Sequence, residues 1–275
     1  MELHPTSVAA LILLGLFAGY LGALIGLGGG IILTPVLALG FGVDLRVAVA
    51  TSLFGVIATS SAASTMRSYT QFANMRLGVG LEIFTALGGI SGSVLAIKLP
   101  QRILAITLSI AVTCMALLLS YSRKRTDASH TEGDTPLNVE GDKRQLSLKG
   151  KKFYLSGFVF YIVGIFSGLL GIGGGFIRVP TMTLVMGIPF KVAAATSNAM
   201  LGMTAAVSLV NYLANGFVRL TLVAPVVLGT IGGALLGASK LQHLSPRVLQ
   251  RVLTVILLIV AIQLTVRAFG GGFDR

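Results

Sequence analysis

The sequence predicts an all-α polytopic membrane protein made of two inverted repeats, and three observations carry that prediction. The chain of 275 residues is 54% hydrophobic and only 11% charged, with a mean hydropathy of +0.90. That balance lies far from the composition of an ordinary soluble domain. Its apolar residues fall into uncharged runs close to the roughly 20 residues that a helix needs to cross a hydrocarbon core of about 30 Å. The chain also repeats itself at a fixed offset of 145 residues.

Taken in order, the first run is Val8 to Leu27, followed by a shorter apolar stretch from Gly30 to Val43. Val47 to Met66 is the next full span, then Leu77 to Ile97, which holds a single acid, Glu82, and then Ile103 to Ser122. Beyond a polar interval come Phe153 to Ile172, a second short stretch from Gly174 to Phe190, and the runs Val192 to Leu213 and Leu220 to Ser239. The last, Val252 to Phe269, carries Arg267 near its end. The two short stretches contain proline and are bounded by glycine clusters, so they are expected to be broken or re-entrant helices. Each half then holds about five apolar segments, three or more of them full spans. The first run lacks a basic leader, since Glu2 and His4 precede it, and further membrane segments follow; it is expected to stay in place as a helix.

Aligned at the 145-residue offset, Gly19 to Leu53 matches Gly164 to Asn198 without a gap, and fifteen of the thirty-five pairs are identical. The identities include Gly28-Gly29-Gly30 against Gly173-Gly174-Gly175, Pro35 against Pro180, and Thr51-Ser52 against Thr196-Ser197. Gly88/Gly233, Gly92/Gly237 and Arg102/Arg247 extend the match toward the end of each half. The implied organisation is a first membrane repeat over 1–122, a charged linker over 123–152 and a second membrane repeat over 153–275. The linker holds eight Lys/Arg and five Asp/Glu and reads as an exposed segment. An odd number of crossings per half reverses the second half in the membrane. With the linker cytoplasmic, fourteen of the twenty-one basic residues fall inside and both termini face outward in the plasma membrane, although Lys98 and Arg102 fall on the outer side. The formal net charge of +12 is therefore read as an orientation signal against the lipid bilayer rather than as a nucleic-acid footprint. The lone Cys114 permits no intrachain disulfide and is expected to pack inside its helix.

The chemistry concentrates at GLGGGIILTP, Gly26 to Pro35, and GIGGGFIRVP, Gly171 to Pro180. Glycine triplets at membrane depth unwind a helix, and such backbone is tolerated only where it is buried in protein or lines a cavity. Paired breaks in corresponding halves point to a substrate site. A helix starting at about Ile31 and another at about Phe176 would aim their N-termini at that site, which suits an anion. The competing reading is close helix packing through small residues, which is the stronger one for Gly15/Gly19, Gly88/Gly92, Gly164/Gly168 and Gly233/Gly237. Thr51, Ser52, Thr196, Ser197 and Asn198 could offer hydroxyls and an amide to the same place, or could bond their own backbone. Arg178 replaces Leu33 of the first half and could supply a fixed cation, or snorkel to an interface. Glu82, six residues beyond Arg76, is expected at the membrane interface rather than in a proton relay. No strand–helix alternation surrounds the glycines as a dinucleotide site would need, and no GxxxxGK[ST] motif is present.

The doubled glycine–proline elements, the internal repeat, the size and the basic linker resemble the sulfite exporter TauE/SafE family over nearly the whole chain. The resemblance implies a transporter of sulfur-containing anions such as sulfite, sulfoacetate and related organosulfonates. It also implies that the site falls on Gly28 to Gly30 with Pro35, Gly173 to Gly175 with Pro180, and the two Thr-Ser pairs; Arg178 rests on the local argument alone. The expected partners are a small anion and the lipid bilayer, with no nucleic acid, no cofactor and no metal, and a monomer or homodimer as the unit. A metal-ion transporter finds no His/Cys/Asp/Glu cluster in the spans. An intramembrane enzyme finds no acid–base or nucleophile–base pair at depth, because His4, His130 and His243 all lie outside the runs. A non-transporting assembly protein remains as the other alternative.

Overall fold

The structure is a computed structural model that describes residues 5–66, 73–126, 151–182, 186, 188, 190–240, 258, 262, 263 and 266. Nine helices stand among the described residues. They are α1 (Pro5–Ile25), α2 (Gly30–Gly40), α3 (Leu45–Ser64), α4 (Met75–Lys98) and α5 (Gln101–Thr126), then α6 (Lys151–Leu170), α7 (Gly175–Pro180), α8 (Phe190–Ala214) and α9 (Leu220–Lys240). Five of them, α1, α3, α4, α8 and α9, contain stretches of 20 to 23 residues long and apolar enough to cross a membrane. Leu13, Phe17, Ile83, Leu87, Met203, Val210 and Leu228 stand exposed on these helices, and in a bilayer such side chains face hydrocarbon rather than water.

The observed starts and stops follow local chemistry. Asp44 caps α3, its Oδ1 accepting from the Arg46 and Val47 backbone N–H groups at 2.9 and 3.4 Å. At the other breaks glycine does the work: Gly29 and Gly174 precede α2 and α7 with φ of +74° and +71°, a left-handed conformation that side chains disfavour. The eleven residues of α2 rise only about 16 Å and the six of α7 less, so neither crosses a bilayer alone. The predicted boundaries agree with these helices to within a few residues, except that α7 stops at Pro180, ten residues before the expected end at Phe190. Of the expected linker, Arg123 to Thr126 lie at the end of α5 and Lys151 opens α6, while residues 127–150 lie outside the described ones. So does the expected span Val252 to Phe269, apart from 258, 262, 263 and 266, which are helical. Cys114 is a correction: it is exposed on α5 rather than packed within the protein.

The helices of the two halves interleave. On α9, Gly229 lies against the Ile12 carbonyl, Gly233 against Leu16 and Gly237 against Tyr20, so α1 and α9 ascend side by side. On α4, Gly88 lies against the Tyr161 carbonyl and Gly92 against Ile165, which pairs α4 with α6 in the same way. Gly88 and Gly233 are equivalent under the 145-residue offset, as are Leu16 and Tyr161, so the two seams are copies of one another. At such glycines a Cβ would collide with backbone, and the small-residue packing expected for the GxxxG pairs is what the structure contains.

Direction can be read from the contacts of α4. Its C-terminal end meets the N-terminal end of α3, where Arg46 donates to the Ala96 and Leu99 carbonyls at 3.3 and 2.6 Å and lies 5.5 Å over the Phe217 ring. Along α8, Thr196 lies near Gly78, Thr204 near Glu82, Ser208 near Gly89, and Asn211 donates to Ser93 at 2.7 Å. Hence α8 runs parallel to α4 and α3 antiparallel to it. The equivalent helices α3 and α8 therefore point in opposite directions.

Candidate functional site

The two glycine breaks meet at the centre of the molecule. Gly30 lies against the Gly171 carbonyl and Gly175 against the Gly26 carbonyl, a reciprocal pair at the 145-residue offset. Gly28 and Gly173 both face Val56 of α3 and Leu201 of α8, themselves equivalent residues, at 3.0 to 3.3 Å from where a Cβ would stand. Residues 21–35 and 171–175 are all buried, so the crossing is packed protein rather than open channel.

Unwinding a helix leaves carbonyl groups to be satisfied, and the serines satisfy them across the crossing. Ser52 Oγ donates to the Gly171 carbonyl at 2.8 Å, with a longer contact to Gly30 at 3.2 Å, and Ser197 Oγ donates to the Gly26 carbonyl at 3.1 Å. Each serine thus ties its own half to the break of the other. Thr51 Oγ1 donates to Val47 four residues back at 2.8 Å, the local bond expected of a threonine inside a membrane helix. Thr196 Oγ1 accepts from the Asn74 backbone N–H at 2.9 Å. Pro35 is buried inside α2, and Pro180 closes α7. Of the side chains singled out in the sequence, Ser52 and Ser197 come together with the glycines, while Thr51 and Thr196 are turned to other partners.

Asn198 and Arg178 differ from these. Asn198 is fully buried, and neither its amide nitrogen nor its amide oxygen has a hydrogen-bond partner among the described residues. Thr34 Oγ1 and Ser167 Oγ are in the same condition, Thr34 beside Gly171 and Ser167 beside Gly174. Arg178 is also fully buried, which removes the snorkelling reading. It sits one turn into α7, its backbone N–H reaching the Gly174 carbonyl at 3.4 Å.

Its counter-ion is Glu82. The acid is buried in protein, 3% exposed, with Oε2 at 3.5 Å from Arg178 Nη1. Arg178 Nη2 donates to Thr204 Oγ1 at 2.6 Å, Thr204 in turn donates to Glu82 Oε1, and Thr85 donates to Glu82 Oε2 at 2.9 Å. The carboxylate is well supplied with donors, whereas Arg178 Nε and Nη1 make no hydrogen bond among the described residues. A guanidinium normally uses its planar fork of donors, so this one leaves two of its nitrogens uncommitted among the described residues. The partners of Arg178 are invisible in linear order, since α7, α4 and α8 bring residues 178, 82 and 204 together from three places in the chain. The signals that could have suggested the pair were the presence of one acid inside a span and one cation beside a break.

The family described as sulfite exporter TauE/SafE matches residues 11–264. A protein of Bacillus subtilis named probable membrane transporter protein YunE is 27% identical over 267 residues, covering 94% of this chain and 97% of that protein. No solved structure matches the chain.

Proposed function

The chain belongs to the sulfite exporter TauE/SafE family, a family of membrane transporters, and from that premise we propose that it moves a small sulfur-containing anion across the plasma membrane as a secondary transporter. Sulfite, sulfoacetate and related organosulfonates are the substrate class. The observation that carries the anion is Arg178, a fully buried cation one turn from a glycine break, with two nitrogens free of hydrogen bonds among the described residues. A buried charge of that kind is costly and is kept at membrane depth mainly for function. Asn198 adds a buried amide whose donors are equally uncommitted.

The transport cycle we propose is alternating access between two inverted halves. The opposed directions of α3 and α8 and the reciprocal seams support it, because the same contacts can be exchanged between the two sides by a rocking motion about the glycine crossing. The fully buried crossing then corresponds to a state closed to both sides. The linker lies in the cytoplasm and both termini outside. The substrate sits near the crossing at Gly28 to Gly30 and Gly173 to Gly175, held chiefly by Arg178 and Asn198. Ser52 and Ser197 hold the crossing itself, since their hydroxyls are already given to carbonyls.

Purified protein in liposomes tests this by counterflow, with unlabelled sulfite or sulfoacetate inside and trace label outside. Transient accumulation of label is expected, and Arg178→Gln should weaken it by an order of magnitude or more. Label that never exceeds protein-free vesicles would remove the transport reading, and full activity in Arg178→Gln would remove the cation from the site.

A further inference from the structure

We infer that Glu82 and Arg178 form an exchange site in which the substrate anion and the Glu82 carboxylate compete for one guanidinium, so that anion binding is accompanied by protonation of Glu82 and the cargo crosses as an anion with a proton. This rests on the anion-transport reading and adds the coupling ion to it.

Three observations carry the exchange. The pair is incomplete as a salt bridge: Nη1 stands 3.5 Å from Oε2 without a hydrogen bond, and Nε has no partner among the described residues, while Thr204 bridges the remaining nitrogen to the carboxylate. A guanidinium held this loosely has its free edge available to a second oxyanion. The charge balance then fixes the proton. In the resting site one cation faces one carboxylate, and the sum is zero; adding a monoanion leaves an uncompensated negative charge in a fully buried place, which is heavily penalised. A proton taken from water onto a Glu82 oxygen restores zero, with guanidinium and anion paired and the carboxyl neutral. Protonated Glu82 keeps its hydrogen bonds, because Thr204 and Thr85 are hydroxyls that can accept as well as donate.

The third observation comes from the equivalent position across the repeat. The 145-residue equivalents of Arg178, Glu82, Thr204 and Thr85 are Leu33, Val227, Thr59 and Thr230. Both threonines are retained and both charges are absent. Leu33 and Thr230 lie together against Gly55, so the apolar version packs in the same arrangement of helices. The scaffold therefore does not require the ion pair, and its presence at only one of the two equivalent positions between the halves fits a functional device better than a structural clamp.

Among the described residues, no second acid meets Glu82; α3 brings Arg46 to the Ala96 carbonyl at the far end of α4, with Asp44 beside it bonded to Gln101. α7 offers Arg178. α6 carries Tyr161, whose hydroxyl pairs with Ser91 nine residues along α4 from Glu82, and has Lys151, Lys152 and Tyr154 in its first turn. α8 carries Tyr212, which donates to the Gly168 carbonyl, and Lys191 at its beginning.

The test uses the full chain in liposomes loaded with a pH-sensitive dye, with methanesulfonate and sulfoacetate as probes because their sulfonates do not titrate near neutrality. Wild-type uptake is expected to acidify the lumen by about one proton per methanesulfonate. Equilibrium binding of methanesulfonate should tighten about tenfold for each unit that pH falls, as linkage to one proton requires. Glu82→Gln mimics the neutral carboxyl and should bind with little dependence on pH, exchange anion for anion, and carry no protons. Anion flux without proton movement, with pH-independent binding in the wild type, overturns the exchange site and leaves the transport reading intact. Absence of flux for every sulfur anion at every pH overturns both. The wild-type proton count and binding profile need no variant, so they decide the matter even if Glu82→Gln fails to fold.

Discussion

At the scale of single residues, the chain separates polar groups that complete the backbone from polar groups left over. Ser52 and Ser197 belong to the first kind, and Ser52→Ala or Ser197→Ala should each cost about 1 kcal/mol, the usual net worth of such a bond, while leaving anion affinity near wild type. Unfolding in detergent and equilibrium binding on the same samples check both halves of that statement. Arg178 and Glu82 belong to the second kind. Breaking the pair from one side, as Glu82→Val or Arg178→Leu alone, should destabilise by about 3–5 kcal/mol, because a buried charge is stranded. The double variant Glu82→Val with Arg178→Leu gives this position the residues of its 145-residue equivalent, Val227 and Leu33, and should recover most of that loss without recovering transport. A double-mutant cycle read by thermal unfolding measures the recovery. Arg178 was legible in the sequence because it interrupts an otherwise apolar repeat. The burial of Glu82 was not, because six residues from Arg76 along a helix says how far the acid lies from that residue and nothing about which helices cover it. Thr34 and Ser167 went unnoticed for the same reason, since a hydroxyl declares no partner in linear order.

At the scale of elements, glycine sets both where helices stop and how closely they approach. The long helices were legible because an apolar run of span length has few alternatives in a bilayer. The short helices α2 and α7 were legible from their triplets, whose positive φ values end one helix and start the next. What the sequence left open was which GxxxG seam meets which, because small-residue faces are mutually compatible and only the fold selects α1 with α9 and α4 with α6. One helix supplies its own control. Gly88 of α4 faces the Tyr161, Gly164 and Ile165 backbone of α6, whereas Gly80 of the same helix has nothing within 4 Å of where its Cβ would stand. Gly88→Ala should therefore lower the melting temperature clearly, and Gly80→Ala should leave it unchanged or raise it, since alanine exceeds glycine in helix propensity by about 1 kcal/mol. Scanning fluorimetry of the two purified variants distinguishes them. Equal losses in both would mean that the seam does not govern stability.

At the scale of the whole molecule, the 145-residue repeat, the interleaved seams and the opposed α3 and α8 support the proposed arrangement, in which related halves face opposite sides of the membrane. The loop residues Pro100 and Asn215 flank the end where Arg46 meets Leu99 and Phe217, and Asn74 stands near Thr196 at the other end. With Cys114 replaced by serine, single cysteines at Pro100 and Asn215 should be labelled by an impermeant maleimide in intact cells, and one at Asn74 only after permeabilisation. The reverse pattern would invert the assigned orientation, and a mixed pattern would break the two-sided arrangement. Family membership and helical architecture followed from features that the sequence displays openly, namely run length and repeated glycines. The chemical identity of the cargo depends on how a few buried donors converge, and it is fixed by flux. Counterflow of labelled sulfite and sulfoacetate in liposomes containing only this protein tests the central claim most directly. Saturable accumulation of at least one of these anions, lost in Arg178→Gln, is the result predicted here; vesicles that accumulate neither, with folded protein present, would contradict it.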